Sequence, residues 1–389
     1  MINRKLAKEL KILINEYPVV TILGPRQAGK TTLAKEFLKG YEYSNLEDPS
    51  IRSFAEEDPK AYLNQFKSKV IIDEIQRVPL LLSYIQVMVD EKKSNGKFVL
   101  TGSHQLQLQE AVSQSLAGRT AVLKLLPLSL SELEDEGIEF DSFEEYCING
   151  FLPRIYDQSI RPTTAYSNYY QTYVERDVKL LINLKDLSLF EKFLKLLAGR
   201  IGQLLDYASL SNDVGVDSKT IKKWLSILEA SFIIFKLSPY YENFGKRVIK
   251  SPKYYFTDVG LLCFLLGIEK KEQVRRDPLV GNIFENLVVI DCLKERYNLG
   301  KMENLYFFRD SNGNEIDVLF QDGRDLIPIE IKSSSTFNTK FAKGINSFQQ
   351  TAATAQKGYI VYSGDFVPSS DSYDVISYKD IGKIFTIKV

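Results

Sequence analysis

The densest chemical signal in the chain is Gly24-Pro25-Arg26-Gln27-Ala28-Gly29-Lys30-Thr31, which satisfies G-x-x-x-x-G-K-[ST]. It follows the apolar run Val19 to Leu23 and precedes a helix-like stretch from Thr32 to Leu38, so the pattern sits in a strand–loop–helix context. Its two glycines let the backbone close around a phosphate chain while consecutive amide N–H groups turn inward. The positive end of the following helix favours the same anion. Lys30 then reaches the outer phosphates, and the Thr31 hydroxyl holds Mg²⁺. Residues Gly24 to Thr32 read as a nucleoside triphosphate site.

Hydrolysis needs more than a phosphate cradle. Val70-Ile71-Ile72 reads as a strand buried on both faces, and Asp73-Glu74 ends it where open α/β sheets place their ligands. Asp73 is the expected Mg²⁺ residue, and Glu74 the residue that orients or deprotonates the attacking water. A third strand, Phe98 to Leu100, runs into Thr101-Gly102-Ser103. Ser103 either senses the γ-phosphate or simply closes a strand-end turn. Arg119, in a Gly-Arg turn, is the candidate arginine finger or sensor; a structural salt bridge explains it equally well, and Arg26 competes for the role. ATP is the default nucleotide, because no guanine-reading segment is present.

A second constellation lies in the last third. Leu305 to Arg309, Glu315 to Gln321 and Leu326 to Lys332 read as strands. Alternation turns Ile316, Val318 and Phe320 to one side with Ile327, Ile329 and Ile331, and puts Asp317, Glu330 and Lys332 together on the other. Upstream, Glu285 sits on a helix from Gly281 to Arg296 among Ile283, Phe284, Val288 and Val289, where a carboxylate needs a partner. The set Glu285, Asp317, Glu330 and Lys332 resembles the PD-(D/E)xK nuclease fold residue by residue, with Ile316 where a proline often stands. Two carboxylates about 4 Å apart repel by roughly 4 kcal/mol at an effective dielectric of 20. Mg²⁺ relieves that repulsion, and Lys332 positions or activates a water. The competing reading is a solvated hairpin with a cross-strand Glu–Lys pair.

These groups need scaffolding. The first domain alternates strands and helices to about Leu130, and Ser131 to Gly137 is an acidic helical stretch. Tyr166, Tyr169, Tyr170 and Tyr173 fall at helical spacing, which favours core packing over base stacking. Helices are expected over Phe190–Leu197, Gln203–Ser211 and Ser218–Ala230, the last with Lys219, Lys222 and Lys223 near its start. Strands Phe232–Leu237 and Lys253–Thr257 flank a loop carrying Lys246, Arg247, Lys250 and Lys253. Helix, glycine-containing turn, helix and basic wing read as a winged helix-turn-helix. Its lysines suit DNA phosphates better than protein docking, although no base-reading Asn, Gln or Arg set stands out.

The stretch from Gly24 to Leu130 resembles the AAA+-type domain of bacterial and archaeal predicted ATPases that carry a DUF4143 C-terminal region. The resembling pieces are the phosphate loop, Asn45 to Pro49, Asp73 to Pro79, Leu100 to Ser103, and Leu116-Ala117-Gly118-Arg119-Thr120 leading into Pro127-Leu128-Ser129. Tyr173-Val174-Glu175-Arg176-Asp177-Val178 and Tyr254 to Leu262 match the later region. The resemblance implies an ATPase core, a winged-helix segment and a nuclease-like end.

Composition frames this reading. The 389 residues suggest two to three domains, and 50 basic against 50 acidic residues leave zero net charge. Nucleic-acid contact must therefore come from local patches. Cys147, Cys263 and Cys292 form neither a disulfide framework nor a zinc pattern, as expected in a reducing, cytoplasmic setting. Met1 to Asn15 reads as an amphipathic helix with Leu6, Leu10 and Leu13 on one face rather than a signal peptide. No apolar run approaches the roughly 18 residues of a membrane span. His104 is the only histidine, which excludes a histidine triad or multi-histidine metal site.

The expected architecture is α/β. It comprises a P-loop AAA+-type domain with a parallel sheet (1–130), a helical lid or linker (131–186), a winged helix (187–260) and an α/β PD-(D/E)xK-like domain (261–389). The expected function is a Mg²⁺-dependent ATPase coupled to a DNA-processing C-terminal region. The alternative is a nucleotide-dependent switch whose nuclease-like domain is inactive and binds protein or nucleic acid. Homo-oligomerisation is open.

Overall fold

The computed structural model describes residues 2–91, 94–103, 115–175, 187–241, 251–310 and 313–386. The chain divides into two compact units. The first comprises the residues up to Leu128 with Ala230–Phe232 and Tyr297–Lys301, and the second comprises the rest.

In the first unit, strands β1 (Val19–Leu23), β2 (Glu42–Asn45), β3 (Val70–Asp73), β4 (Phe98–Gly102) and β5 (Thr120–Lys124) form one sheet in the order β2-β3-β4-β1-β5. Every pairing is parallel. The aliphatic runs explain this, since β1, β3 and β4 are buried along their whole length. One layer of core joins Leu6 and Leu10 to Val20, Ile22, Leu33, Val99 and Leu123. The N-terminal helix runs from Ala7 to Glu16, with Leu6 at its cap. After β2, Asp48 caps the Pro49–Glu57 helix by accepting from the amides of Ser50 (2.8 Å) and Ile51 (3.2 Å).

The second unit is built on a seven-stranded mixed sheet. Its strands are β6 (Ile234–Pro239), β7 (Lys253–Phe256), β8 (Leu305–Arg309), β9 (Glu315–Asp322), β10 (Asp325–Lys332), β11 (Gly358–Tyr362) and β12 (Tyr373–Ser377), ordered β12-β11-β10-β9-β8-β6-β7. Helices Leu187–Ala198, Tyr207–Val214 and Ser218–Ala230 precede the antiparallel β6–β7 hairpin. The second helix starts at Tyr207 rather than Gln203, because Asp206 caps it. Gly215 ends that helix in a left-handed conformation (φ 93°) that suits glycine. The hairpin also pairs with β8 through Ser238 and Pro239, so it shares one sheet with the C-terminal strands. Lys246, Arg247, Lys250, Arg176, Asp177, Val178 and His104 lie outside the described residues.

Tyr166, Tyr169 and Tyr173 are buried, in keeping with core packing. Tyr166 donates to Asp258 Oδ1 at 2.7 Å, and the same carboxylate caps the Val259–Leu265 helix through the Gly260 amide. A Cβ on Gly260 would stand 2.3 Å from the Tyr166 ring, which fixes glycine after Asp258-Val259. The three cysteines are buried and free. No helix among the described residues is long and apolar enough to cross a membrane.

Candidate functional site

Strand order decides where chemistry collects. With β1 between β4 and β5, the loop after Leu23 emerges at the same sheet edge as the C-terminal ends of β3 and β4. The loop takes its shape from Gln27 (φ 61°) and Gly29 (φ 91°), and Gly29 precedes the Lys30–Phe37 helix. Gly24 is required by crowding, since a Cβ there would lie 1.9 Å from the Leu125 carbonyl oxygen.

Lys30 is buried and donates to the carbonyls of Gly24 (2.9 Å) and Pro25 (2.8 Å). Burial pushes its ammonium below the usual lysine range, against the opposing pull of Glu74 and Asp73. Thr31 donates to both Asp73 oxygens, Tyr43 donates to Oδ2 at 2.8 Å, and Thr101 donates to Oδ1. A threonine hydroxyl facing a carboxylate is the oxygen donor set that a hard cation takes, so these residues fit Mg²⁺. Glu74 adopts a left-handed backbone (φ 58°), its amide donates to Thr101 Oγ1, and its Oε2 accepts from Ser103 (3.1 Å) and Gln76. Arg26 pairs with Glu47 at 3.3 Å. The structure thus brings Lys30, Thr31, Asp73, Glu74 and Ser103 to one edge.

Arg119 is elsewhere. Its carbonyl accepts from the Val19 amide, and Thr120 pairs with Val19, so it stands where β1 begins. Five residues at about 3.3 Å each put that edge roughly 15 Å from the phosphate loop. Its guanidinium grips Asp90 through two bonds of 2.6 and 2.8 Å. The sensor reading within its own chain is therefore corrected to a structural ion pair.

In the second unit, the β9–β10 hairpin brings Asp317, Glu330 and Lys332 together. Lys332 donates to Asp317 Oδ2 (3.0 Å) and Glu330 Oε2 (2.6 Å), and the Ile331 amide donates to Asp317 Oδ2 at 2.8 Å. Burial, then the Asp317 charge, pushes Glu330 up to about 8. Burial also acts on Asp317, but Lys332 and Lys253 outweigh it and hold that carboxyl below its ordinary value. Glu285, from the Val280–Asn298 helix, instead accepts from Lys253 (3.1 Å) and Tyr255 (2.5 Å). Lys253 also pairs with Glu315 at 2.8 Å and its side chain is 4% exposed. Lys253 is therefore no phosphate-facing wing residue: its burial and its two carboxylates overturn that expectation. Among the described residues, no three histidine, cysteine or acidic side chains group as a metal-holding set.

Comparison with known proteins places the chain. Residues 16–134 match the AAA domain family, 140–272 a domain of unknown function, DUF8612, and 280–381 a domain of unknown function, DUF4143. The first domain is thus similar to AAA domains of P-loop ATPases, and the C-terminal residues are similar to DUF4143 domains. An uncharacterized protein of Mycobacterium tuberculosis is 29% identical over 336 residues, covering 86% of this chain and 74% of the relative. One from Haemophilus influenzae is 24% identical over 357 residues, covering 82% and 84%. Among solved structures, the Walker-type ATPase of Pyrococcus abyssi aligns at 14% identity and a TM-score of 0.45, over 68% of this chain and 96% of that one.

Three residues support the ATPase site without having been assigned a role from the sequence, and only Thr101 among them lay in a recognised segment. Tyr43 and Thr101 hold Asp73 from neighbouring strands, and Arg4 clamps the phosphate loop by donating to Ala28 O (2.5 Å) and Leu126 O (2.7 Å). Gln76 lay within a recognised segment, yet only the fold turns it back onto Glu74. Strand adjacency, which the sequence does not print, was the missing signal.

Proposed function

We propose that this ATPase binds Mg²⁺·ATP at Gly24–Thr32 and uses hydrolysis to drive a C-terminal region that contacts DNA. The observation that carries the nucleotide half is the Thr31–Asp73 pair beside Lys30, with Glu74 adjacent at the same sheet edge. In this reading Lys30 leaves the loop carbonyls for the outer phosphates as ATP enters. Thr31 and Asp73 would hold Mg²⁺, which would supply charge neutralisation at the phosphates. Glu74, released from Gln76 and Ser103, takes a proton from the attacking water, and Ser103 registers the γ-phosphate.

The DNA half rests on the Ser218–Ala230 helix. Lys219, Lys222 and Lys223 are all exposed along its first two turns. Exposed ammonium groups on one helix neutralise phosphates and make affinity salt-dependent. The test is DNA binding across a salt series. Replacing Lys222 and Lys223 with Ala should weaken binding and flatten the slope of log affinity against log salt. An unchanged slope assigns this helix to protein docking.

The silent-domain reading of the C-terminal cluster also has an observation in its favour. Its carboxylates converge, but Lys332 joins Asp317 to Glu330 and Lys253 joins Glu285 to Glu315, so ammonium groups already neutralise them. A cleavage assay with Mn²⁺, comparing wild type with Asp317→Ala, separates the two. Cleavage lost in the variant supports a nuclease, and no cleavage under any nucleotide supports a binding domain.

A further inference from the structure

We propose that Lys253 is the resident cation of the C-terminal acid cluster, standing where a PD-(D/E)xK site would take a divalent metal, so that the cluster is closed to metal in this state. The inference rests on the PD-(D/E)xK-like reading of Glu285, Asp317, Glu330 and Lys332, and it names what keeps that site shut.

Position comes first. Lys253 begins β7 and pairs with Leu237 of β6, so its backbone is fixed by a ladder rather than by a loop. Its side chain is almost fully buried, with the ammonium 5.6 Å from the centre of the Phe307 ring. From there it reaches Glu285 Oε1 at 3.1 Å and Glu315 Oε1 at 2.8 Å. Arg309 takes the other Glu315 oxygen at 3.2 Å, and the Tyr255 hydroxyl shares Glu285 Oε1. The helix-borne carboxylate is thereby turned to the hairpin lysine.

The remaining acids are closed as well. Lys332 joins Asp317 to Glu330, and the Ile331 amide takes a further bond to Asp317. The far side of Glu330 is filled: a Cβ on Gly344 would lie 1.9 Å from Glu330 Oε1. A divalent metal needs several carboxylate oxygens facing one point and open to it; here Asp317 and Glu330 face each other but share the Lys332 ammonium, and Glu285 and Glu315 share that of Lys253. The donor set does not fit the metal.

Deleting the ammonium reverses the electrostatics. Without Lys253, the largely buried Glu285 loses its ammonium partner while Glu315 keeps Arg309, a condition at Glu285 that a bound cation or proton relieves. Lys253→Arg keeps the charge and should keep the site closed.

The experiment uses the full chain without nucleotide, in an Asp73→Ala background that removes the first-unit Mg²⁺ pair, titrated with Mn²⁺ and followed by the spectrum of the free ion. The parent should bind no Mn²⁺ at the cluster. Lys253→Met should gain one equivalent, tighter than any residual binding by an order of magnitude or more, and Lys253→Arg should gain none. One Mn²⁺ bound by the parent and lost in Asp317→Asn overturns the proposal, and so does a folded Lys253→Met chain that binds none. If Lys253→Met fails to fold, the parent and Asp317→Asn titrations decide alone. Loss of the salt-dependent DNA affinity would remove the proposed function without altering these Mn²⁺ counts.

Discussion

Thr31 donates its hydroxyl to both oxygens of Asp73, at 3.1 and 3.0 Å, and so ties the phosphate loop to the neighbouring β3 strand end. Those oxygens also accept from Tyr43 and Thr101, so three hydroxyls hold one carboxylate. To hold Mg²⁺, Asp73 would have to give up lone pairs that these donors now occupy.

Tyr43 is the donor that can be removed with least disturbance, because its ring is partly exposed. A hydrogen bond to a charged group contributes about 1.5–3 kcal/mol net. Tyr43→Phe should therefore tighten the Mg²⁺ half-saturation of ATP hydrolysis by roughly threefold to tenfold, less than the full bond because Thr31 and Thr101 remain. An Mg²⁺ titration of steady-state ATPase rates reads this, and an unmoved half-saturation contradicts it.

Glu74 is held away from solvent chemistry by Ser103 and Gln76. Glu74→Gln should retain ATP binding while kcat falls by about 10²–10³. Ser103→Ala, which removes only one partner, should cost about tenfold. Normal hydrolysis by Glu74→Gln takes the proton-accepting role from that residue.

Arg4 connects the phosphate loop to the segment after β5 through two carbonyls, and its side chain is buried. Arg4→Met should weaken ATP binding by about tenfold, equivalent to about 1.4 kcal/mol. Arg119→Ala, at the far edge of the sheet, should leave affinity and turnover of a single chain unchanged. Isothermal calorimetry on both variants tests this; the reverse ranking would restore Arg119 to the site.

The Asp291 carboxyl gives a pH signature. Burial, then the Glu295 charge, pushes it up to about 7, against the opposing pull of Lys294, while it accepts from the Leu130 amide at 2.9 Å. The folded chain therefore keeps this proton to higher pH than the unfolded chain, whose carboxyl ionises near 3.9. The favourable contribution is complete below about pH 4 and lost as pH rises through about 7. Denaturant unfolding of wild type should weaken over that window, and Asp291→Asn should flatten the trend. Equal slopes contradict the assignment.

Much of this was legible in the residues. Gly24 to Thr31 and Val70 to Glu74 specify a loop and a buried strand by local chemistry alone, and the fold places them as expected. The β8, β9 and β10 strands follow from alternation to within a residue, as does the sharing of one face by Asp317, Glu330 and Lys332. Long-range geometry was not legible. Lys253 looked like one more basic wing residue until β7 buried it against Glu285 and Glu315. Arg119 lay close in sequence to the core strands, yet parallel pairing put it at their starts. Charge identity is local, whereas which charge faces which depends on strand order and helix placement.

The central claim is that the glycine loop binds ATP through Lys30 and that Asp73 and Glu74 turn it over. Calorimetric titration of the full chain with ATP and Mg²⁺, run beside Lys30→Ala, tests it most directly. The account predicts one saturable binding event in wild type and none in the variant. No heat from wild type, or equal affinity in Lys30→Ala, would contradict it.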